Sequence, residues 1–204
     1  MLHTHDLTMS VLMSLSKQAK TLTKPQIKLI TGLIHQTRYP LRNQVIFLLS
    51  VRAGLRAKEI ASLTWDMVTD ADGQLSASIH LRDVASKGRS GRIIPLNKDL
   101  RGVLQALKED QNHSPYVITT ERSDRTSASA IVNLFRGWYS AAGLRGCSSH
   151  SGRRTFITNA ARKISTVGGS LRDVQMLAGH KALSTTQRYI EGDIEAQRRV
   201  VDLV

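Results

Sequence analysis

Apolar residues recur at helical spacing along most of the chain, and this pattern predicts a mainly α-helical protein. The first predicted helix is amphipathic and contains Leu7, Val11, Leu12 and Leu15. A second helix is predicted to begin at Thr23 and to run to about Thr37, because Pro25 and Gln26 follow the threonine as they do at many helix starts.

The next segment has the pattern of a buried helix. It opens at Pro40, carries a continuous apolar run at 45–49 and is predicted to stop at Gly54, since glycine is common just past a helix end. A short helix is then predicted over 57–63. From Asn97 onward the pattern is again helical, with predicted helices at 97–110, 128–142, 151–163, 170–178, 185–190 and 193–203.

Between these helical parts the pattern changes to that of short strands. Strands are predicted at 65–68, 76–81 and 92–95, with a turn at 70–73 and a hairpin turn at 88–91. Pro95 indicates that the third strand ends there or lies at an edge. The sequence therefore predicts an α+β fold, mainly α-helical, with a small three-stranded antiparallel sheet.

The charge balance narrows the class of partner. Of the 204 residues 29 are Lys or Arg and 16 are Asp or Glu, which gives a formal net charge of +13. Such an excess in a folded domain favours a polyanion, most often nucleic acid, although a basic ribosomal accessory protein has the same composition. Aromatic residues make up 4% of the chain, which argues against a platform that stacks single strands.

The single cysteine and the N-terminal sequence indicate in which cellular compartment the protein works. Cys147 is the one cysteine, which excludes an internal disulfide and a cysteine-based zinc site and favours a reducing compartment. The first residues lack the pattern of a secretory signal, and the most apolar run is too short to span a bilayer. We expect a cytoplasmic protein that works at the chromosome and does not enter a membrane.

The segment at 178–189 contains His180 shortly before Tyr189, with Ser184 as the predicted N-cap of a helix that carries the tyrosine. A tyrosine hydroxyl is almost wholly protonated at neutral pH, so it needs cationic groups that hold an electrophile against it. Elsewhere the chain has such groups. Taken alone, each of them is better explained by an ordinary structural or surface role.

Two candidates for these cationic groups come early in the chain. Arg56 stands at a predicted helix start, where free N–H groups and a planar guanidinium together suit a phosphate. Lys87 lies in the predicted hairpin, where it could contact a phosphate or donate a proton. His150 and Arg153 come later, three residues apart, and at that spacing both project from one side of a first helical turn.

Other kinds of enzyme fit the sequence less well. A metal nuclease needs clustered carboxylates, and the nearest group, Asp66, Asp70 and Asp72, is better explained as strand-end and turn residues. The chain has no Gly-x-Ser-x-Gly elbow of a hydrolase and no Gly-x-x-x-x-Gly-Lys-Ser/Thr loop for ATP. We therefore expect no metal and no cofactor.

Taken in order, these motifs resemble those of the tyrosine recombinases, the phage integrase family. The resemblance runs from about Arg42 to Tyr189. Its parts are Ala-Gly-Leu-Arg-Ala-Lys-Glu-Ile at 53–60, Lys87 before Arg-Ile-Ile-Pro-Leu at 92–96, His-Ser-Gly-Arg at 150–153, Leu-Ala-Gly-His at 177–180 and Ser-Thr-Thr-Gln-Arg-Tyr at 184–189. Each part is weak alone, and their shared order is what is specific.

The resemblance implies a fold and a role for each candidate. The fold would be that of the recombinase catalytic domain. Tyr189 would attack a DNA phosphodiester to give a 3′-phosphotyrosine and a free 5′-hydroxyl. Arg56, Arg153 and His180 would hold the non-bridging oxygens, Lys87 would protonate the leaving oxygen, and His150 would assist proton transfer or support the pocket. Further candidates for DNA contacts are Lys58, Arg89, Arg92 and Arg154.

The sequence also departs from the family pattern. Arg154 stands where many relatives carry a histidine. Residues 1–37 look like short helices in place of a full core-binding domain, and 38–204 would form the catalytic domain with a tail helix at about 190–204. In size the chain resembles the short invertases of fimbrial promoters. The expected partners are double-stranded DNA, other copies of the chain up to a tetramer, and an accessory DNA-binding protein.

Two alternatives to strand exchange stay open at this stage. A DNA-binding regulator could keep the recombinase fold without recombining DNA, and the short N-terminal segment motivates this alternative. A type IB-like topoisomerase would relax supercoils without exchanging partners. The tail could pack on its own domain or on a neighbouring protomer.

Overall fold

A computed structural model of the chain describes residues 19–83, 91–110 and 114–190, together with 198, 201 and 202. Within this part, eight α-helices and two strands form the fold. The helices are α1 (Lys24–His35), α2 (Pro40–Ala53), α3 (Ala57–Ala61), α4 (Lys98–Asp110), α5 (Ala128–Ala141), α6 (Ser151–Lys163), α7 (Leu171–Ala178) and α8 (Leu183–Gln187); the strands are β1 (Ser78–Leu81) and β2 (Arg92–Pro95). The prediction of a mainly helical α+β fold is confirmed.

Helix α2 is the centre of the protein. Residues 45–51 are all buried, and α1, α4 and α6 pack around them. The helix begins with Pro40 and ends at Gly54, whose φ of 66° is left-handed, as predicted for the stop. Helix α1 begins with the predicted capping box of Thr23 and Gln26, and its Ile30 and Ile34 join the same core.

A close contact between α2 and α6 fixes the start of α6. A Cβ added at Gly152 would lie 2.3 Å from Ser50 Oγ and 3.0 Å from Val51 Cγ1. Only a glycine allows the two helices to approach this closely. Because the first turn of α6 carries Arg153, this contact also sets the position of that arginine.

We expect Gly152→Ala to destabilise the protein by about 1–3 kcal/mol, because the added methyl group overpacks the α2–α6 contact. Gly137→Ala is the matched control: Gly137 is also helical, and nothing lies within 4 Å of its Cβ position. That change should stabilise α5 by about 0.5–1 kcal/mol. Urea unfolding of both variants measures the difference, and equal effects at the two sites would contradict the close contact.

The sheet is smaller than predicted. In the described residues it has two antiparallel strands, paired from Ser78 with Pro95 to Leu81 with Arg92. The segment predicted as the first strand forms a 3₁₀ turn at Trp65–Met67, because the Trp65 carbonyl accepts hydrogen bonds from the Val68 N–H and the Thr69 hydroxyl. The prediction of a strand at 65–68, which would have made the sheet three-stranded, is therefore wrong.

Some predicted elements lie outside the described residues. These are the predicted N-terminal helix around 7–15, residues 88–90 of the hairpin turn, and the candidate residues Lys87 and Arg89. Most of the predicted tail helix also lies outside them; of its described residues, 198 and 201 are helical. Among the helices that the structure describes, none is both long enough and apolar enough to cross a membrane.

Candidate active site

A cleft with a volume of about 490 Å³ brings together most of the predicted catalytic residues. It lies where the start of α3, the start of α6 and the segment after α7 meet. The predicted residues that line it are Arg56, His150, Arg153, His180 and Tyr189. Lys87 is outside the described residues, so its position relative to the cleft stays a prediction.

Arg153 is buried at the back of the cleft and is held by the ends of two helices. Its Nη1 donates to the Gly54 carbonyl at 2.6 Å, and its Nη2 donates to the Ala178 carbonyl at 2.7 Å. These carbonyls come from the C-termini of α2 and α7, where the helix dipole favours a positive charge. Burial lowers the pKa of Arg153 to about 10, with a further lowering from Arg56, so the guanidinium is charged at neutral pH.

Glu59 is a fully buried carboxylate that connects two arginines. It accepts hydrogen bonds from the Arg56 N–H and Nη1 at 2.8 and 2.7 Å, and from Arg92 Nη1 and Nη2 at 3.1 and 3.0 Å. Burial raises the pKa of Glu59, but the hydrogen bonds and charge of Arg92 and Arg56 outweigh it, so the pKa lies below its ordinary value. Glu59 therefore orients Arg56 toward the cleft.

Arg92 has a structural position that the sequence did not reveal. Its side chain is 5% exposed, and besides binding Glu59 it donates from Nε to the Leu177 carbonyl at 2.9 Å. The prediction that Arg92 contacts DNA does not fit this burial. Arg92 instead links β2 to α3 through Glu59 and to α7 through the Leu177 carbonyl. Lys58 is exposed on α3, outside the residues that line the cleft.

The His180 side chain contacts Arg153, Tyr189 and Thr186. Its Nε2 lies 3.2 Å from Arg153 Nη2, and its Nδ1 lies 2.9 Å from Thr186 Oγ1. Burial, and then the charges of Arg153, Arg56 and Arg92, lower the pKa of His180 to about 4. The imidazole is therefore neutral at physiological pH. The Gln175 side chain donates to the His180 carbonyl at 2.9 Å and so fixes the backbone there.

Tyr189 lies beside His180, but not on the helix that the sequence predicted. Helix α8 ends at Gln187, and its N-cap is Ala182 rather than Ser184. The helix begins early because Gln175 holds the carbonyls of His180 and Lys181, so the chain turns before Ser184 is reached. The rings of Tyr189 and His180 are stacked, with centroids 5.5 Å apart and an interplanar angle of 23°.

Two further arginines line the cleft. Arg154 places its guanidinium carbon 5.7 Å from the centroid of the Tyr189 ring, which is within the range of a cation–π contact. Arg188 also lines the cleft, although the sequence analysis did not single it out. Its position directly before Tyr189 was the signal that could have identified it.

His150, exposed at the N-cap of α6, lines the same cleft as Arg153, as their spacing predicted.

The cleft combines positive charge, a neutral imidazole and a phenol. Four guanidinium groups, those of Arg56, Arg153, Arg154 and Arg188, line it, and the carboxylate of Glu59 is buried. Such donors suit an anion with several oxygens, above all a phosphate. Within the described ranges, no group of three or more His, Cys, Asp or Glu side chains could hold a metal ion.

The comparisons with known proteins agree on one family. The model of the phage integrase family matches residues 20–195. Over 184 residues the chain is 32% identical to the tyrosine recombinase XerA of Thermococcus onnurineus strain NA1, a match that covers 88% of this chain and 61% of that protein. It is 29% identical over 199 residues to the tyrosine recombinase XerC of Shewanella amazonensis, covering 93% and 64%. The chain thus spans about three fifths of the length of these relatives.

Solved structures show the same fold. A crystal structure of XerA recombinase is similar with a TM-score of 0.71 at 22% identity, over 90% of this chain and 64% of that one. A structure of XerH site-specific recombinase bound to a palindromic difH substrate, a post-cleavage complex, is similar with a TM-score of 0.70 at 18% identity, over 89% and 51%. The prediction of a recombinase catalytic-domain fold is confirmed.

Proposed function

Because the chain belongs to the phage integrase family, we propose that it recombines double-stranded DNA at specific sites through Tyr189. The observation that carries the proposal is the cleft itself, which Arg56, Arg153 and His180 line together with Tyr189, and in which the His180 ring stacks on the tyrosine ring. The phenolic oxygen attacks a phosphorus atom, a P–O bond to tyrosine forms, and the bond to the 5′-oxygen breaks. The products are a 3′-phosphotyrosine and a 5′-hydroxyl, and the reverse reaction with another 5′-hydroxyl rejoins the strands.

The arginines stabilise the charge that grows on the non-bridging oxygens. A guanidinium has five N–H donors. Arg153 uses donors on both Nη atoms for two carbonyls and His180, and we assign the donor that faces His180 to a phosphate oxygen when DNA binds. Arg56 is oriented by Glu59 and reaches the same cleft. His180 is the third group at these oxygens, and His150 assists proton transfer or supports the pocket.

The leaving 5′-oxygen needs a proton, and we assign this step to Lys87, as the resemblance implies. The phenolic proton of Tyr189 is lost as the oxygen attacks, so one proton is released and one is taken up in each cleavage. Rejoining reverses both transfers. The bond energy is kept in the phosphotyrosine, so the reaction requires no ATP.

The wider assembly is part of the proposal. The relatives of known structure include a lambda integrase dimer bound to a COC′ core site. We propose that this chain also acts as a homo-oligomer of up to four copies on DNA in the cytoplasm, at the nucleoid, and that an accessory DNA-binding protein can assist it. We further propose residues 38–204 as the catalytic domain. Helix α1 shares its core.

Capture of the covalent intermediate tests the proposed function. The full chain is incubated in EDTA with a pool of random-sequence duplexes that carry a nick in one strand. Cleavage near the nick releases a short fragment, which diffuses away. The strand can then not be rejoined, so the covalent adduct accumulates. We expect a DNA adduct that survives denaturant, and mass spectrometry should place the phosphate on Tyr189. Sequencing the trapped DNA then identifies the site.

Tyr189→Phe should form no adduct, while Tyr116→Phe, a tyrosine outside the cleft, should react like the wild type. DNA binding by the wild type without any adduct would overturn the proposal in favour of a regulator. An adduct that is undiminished in Tyr189→Phe would also overturn it. Relaxation of supercoiled plasmids that lack the trapped site would instead indicate a type IB-like topoisomerase.

A further inference from the structure

Thr186 is a buried threonine directly behind His180, and it is not among the groups assigned to the proposed reaction. The residue lies on α8 with an exposed fraction of 0%, and its Oγ1 is 2.9 Å from His180 Nδ1. A buried threonine hydroxyl at hydrogen-bond distance from one ring nitrogen is a partner for that nitrogen whether or not the nitrogen carries a proton.

The contacts of His180 fix its tautomer in the free protein. Arg153 Nη2 lies 3.2 Å from His180 Nε2, and a guanidinium nitrogen can only donate. Nε2 must therefore be the acceptor, without a proton. Because the imidazole is neutral, its proton is on Nδ1, which donates to Thr186 Oγ1.

This tautomer is the wrong one for the role that His180 has in the proposed reaction. To stabilise a non-bridging oxygen, Nε2 must carry a proton and donate it. When a phosphate enters the cleft, it replaces Nε2 as an acceptor for Arg153, and the phosphate oxygen becomes an acceptor for Nε2 as well. The proton on Nδ1 must then leave, and Nε2 must gain one.

The surroundings favour a moving proton over a moving ring. Gln175 holds the His180 backbone, and Tyr189 stacks on the ring 5.5 Å away. A ring flip would exchange the positions of the ring nitrogens and so break both side-chain hydrogen bonds, and it would have to pass through orientations that the stacked Tyr189 ring obstructs. A hydroxyl group, unlike a carbonyl or a carboxylate, can accept from Nδ1–H or donate to a bare Nδ1. Thr186 thus remains a hydrogen-bond partner in both tautomers.

We propose that Thr186 is a positioning residue that allows His180 to change from the Nδ1–H to the Nε2–H tautomer when a DNA phosphate binds. The ring gives up one proton at Nδ1 and takes up one proton from solvent at Nε2, so its charge does not change. The Thr186 hydroxyl reverses from acceptor to donor. The inference rests on the proposed function for the second state, whereas the first state belongs to the free protein.

Nitrogen-15 NMR of histidine-labelled protein tests both states. In the free wild-type protein we expect His180 with a protonated Nδ1 and a bare Nε2, assigned by loss of its signals in His180→Gln. In Tyr189→Phe bound to the trapped DNA site, where cleavage cannot occur, the pattern should reverse. A protonated Nε2 in the free protein, or an unchanged pattern on DNA, would overturn the inference.

Single-turnover cleavage of the same DNA tests the residue. Thr186→Val keeps the shape but removes the hydroxyl, and we expect a cleavage rate at saturating DNA about tenfold lower, since one neutral hydrogen bond is worth about 1.4 kcal/mol or less. The affinity for DNA should not change. Thr186→Ser should restore most of the rate, and Thr186→Ala provides a second hydroxyl-free variant if the valine is not tolerated.

Thr31→Val is the matched control, because Thr31 also loses one hydroxyl hydrogen bond, to the Ile27 carbonyl, but lies on α1 away from the cleft. Equal rates for wild type and the hydroxyl-free variants would overturn the role of Thr186 while leaving the proposed function intact. Failure of the wild type to form any adduct would overturn the proposed function, and the NMR of the free protein would still decide the first tautomer.

Discussion

Arg153→Lys is expected to lower the rate of DNA cleavage at saturating DNA by about 10²- to 10³-fold, the usual effect of losing one oriented donor to a developing oxyanion. Lysine keeps the positive charge, but all the N–H donors of its ammonium group are on one nitrogen, whereas those of a guanidinium are spread over three. It cannot bond to the Gly54 and Ala178 carbonyls, which hold the two Nη atoms of Arg153, and also reach a phosphate. Single-turnover measurement of the covalent adduct gives the rate directly.

Arg122→Lys is the matched control for this change. Arg122 is exposed and does not line the cleft, so its replacement should leave the rate unchanged. Urea unfolding of both variants separates a catalytic loss from a loss of folded protein. If Arg153→Lys cleaved DNA as fast as the control, the guanidinium would have no special role in the reaction.

Glu59→Gln is expected to destabilise the protein by about 3–5 kcal/mol, because it removes the negative partner of a buried arginine. The new amide would also point an N–H₂ group at a guanidinium. For a chain of this size the melting temperature should fall by roughly 6–20 °C. Glu109→Gln is the control, because Glu109 is exposed on α4 and its loss should change stability by less than about 0.5 kcal/mol.

The same variant should change the response to acid. The pKa of Glu59 in the folded protein lies below the ordinary value of 4.5, so the unfolded chain binds its proton first as the pH falls. The stability that Glu59 contributes is therefore complete above 4.5 and is lost as the pH falls through the lowered folded value. Unfolding at a series of pH values below 4.5 should show a shallower loss in Glu59→Gln than in the wild type. Parallel curves would contradict the lowered pKa.

Local patterns in the sequence were enough for much of the fold. The stop of α2 at Gly54 and the capping box at Thr23 follow from residue types a few positions apart, and both are confirmed. The shared location of His150 and Arg153 follows from helical spacing in the same way. These predictions succeed because the interactions that decide them are short in sequence.

Two of the predictions that failed depend on partners that lie outside the local sequence. Nothing near Arg92 in sequence shows that it is buried, because the carboxylate that binds it is Glu59, 33 residues away. The start of α8 depends on the Gln175 side chain, which belongs to the preceding helix. The same limit applies to Thr186, whose role becomes visible only once His180 and Arg153 are seen together.

The carbonyl groups that hold Arg153 have a consequence for how the sequence can change over time. Every amino acid has a main-chain oxygen, so a substitution at Ala178 that keeps α7 intact also keeps this acceptor. Arg56 has no such tolerance, since it is oriented by the side chain of Glu59. A relative that diverges from this chain can therefore change Ala178 without losing this contact, but it needs a carboxylate at position 59 to keep Arg56 oriented.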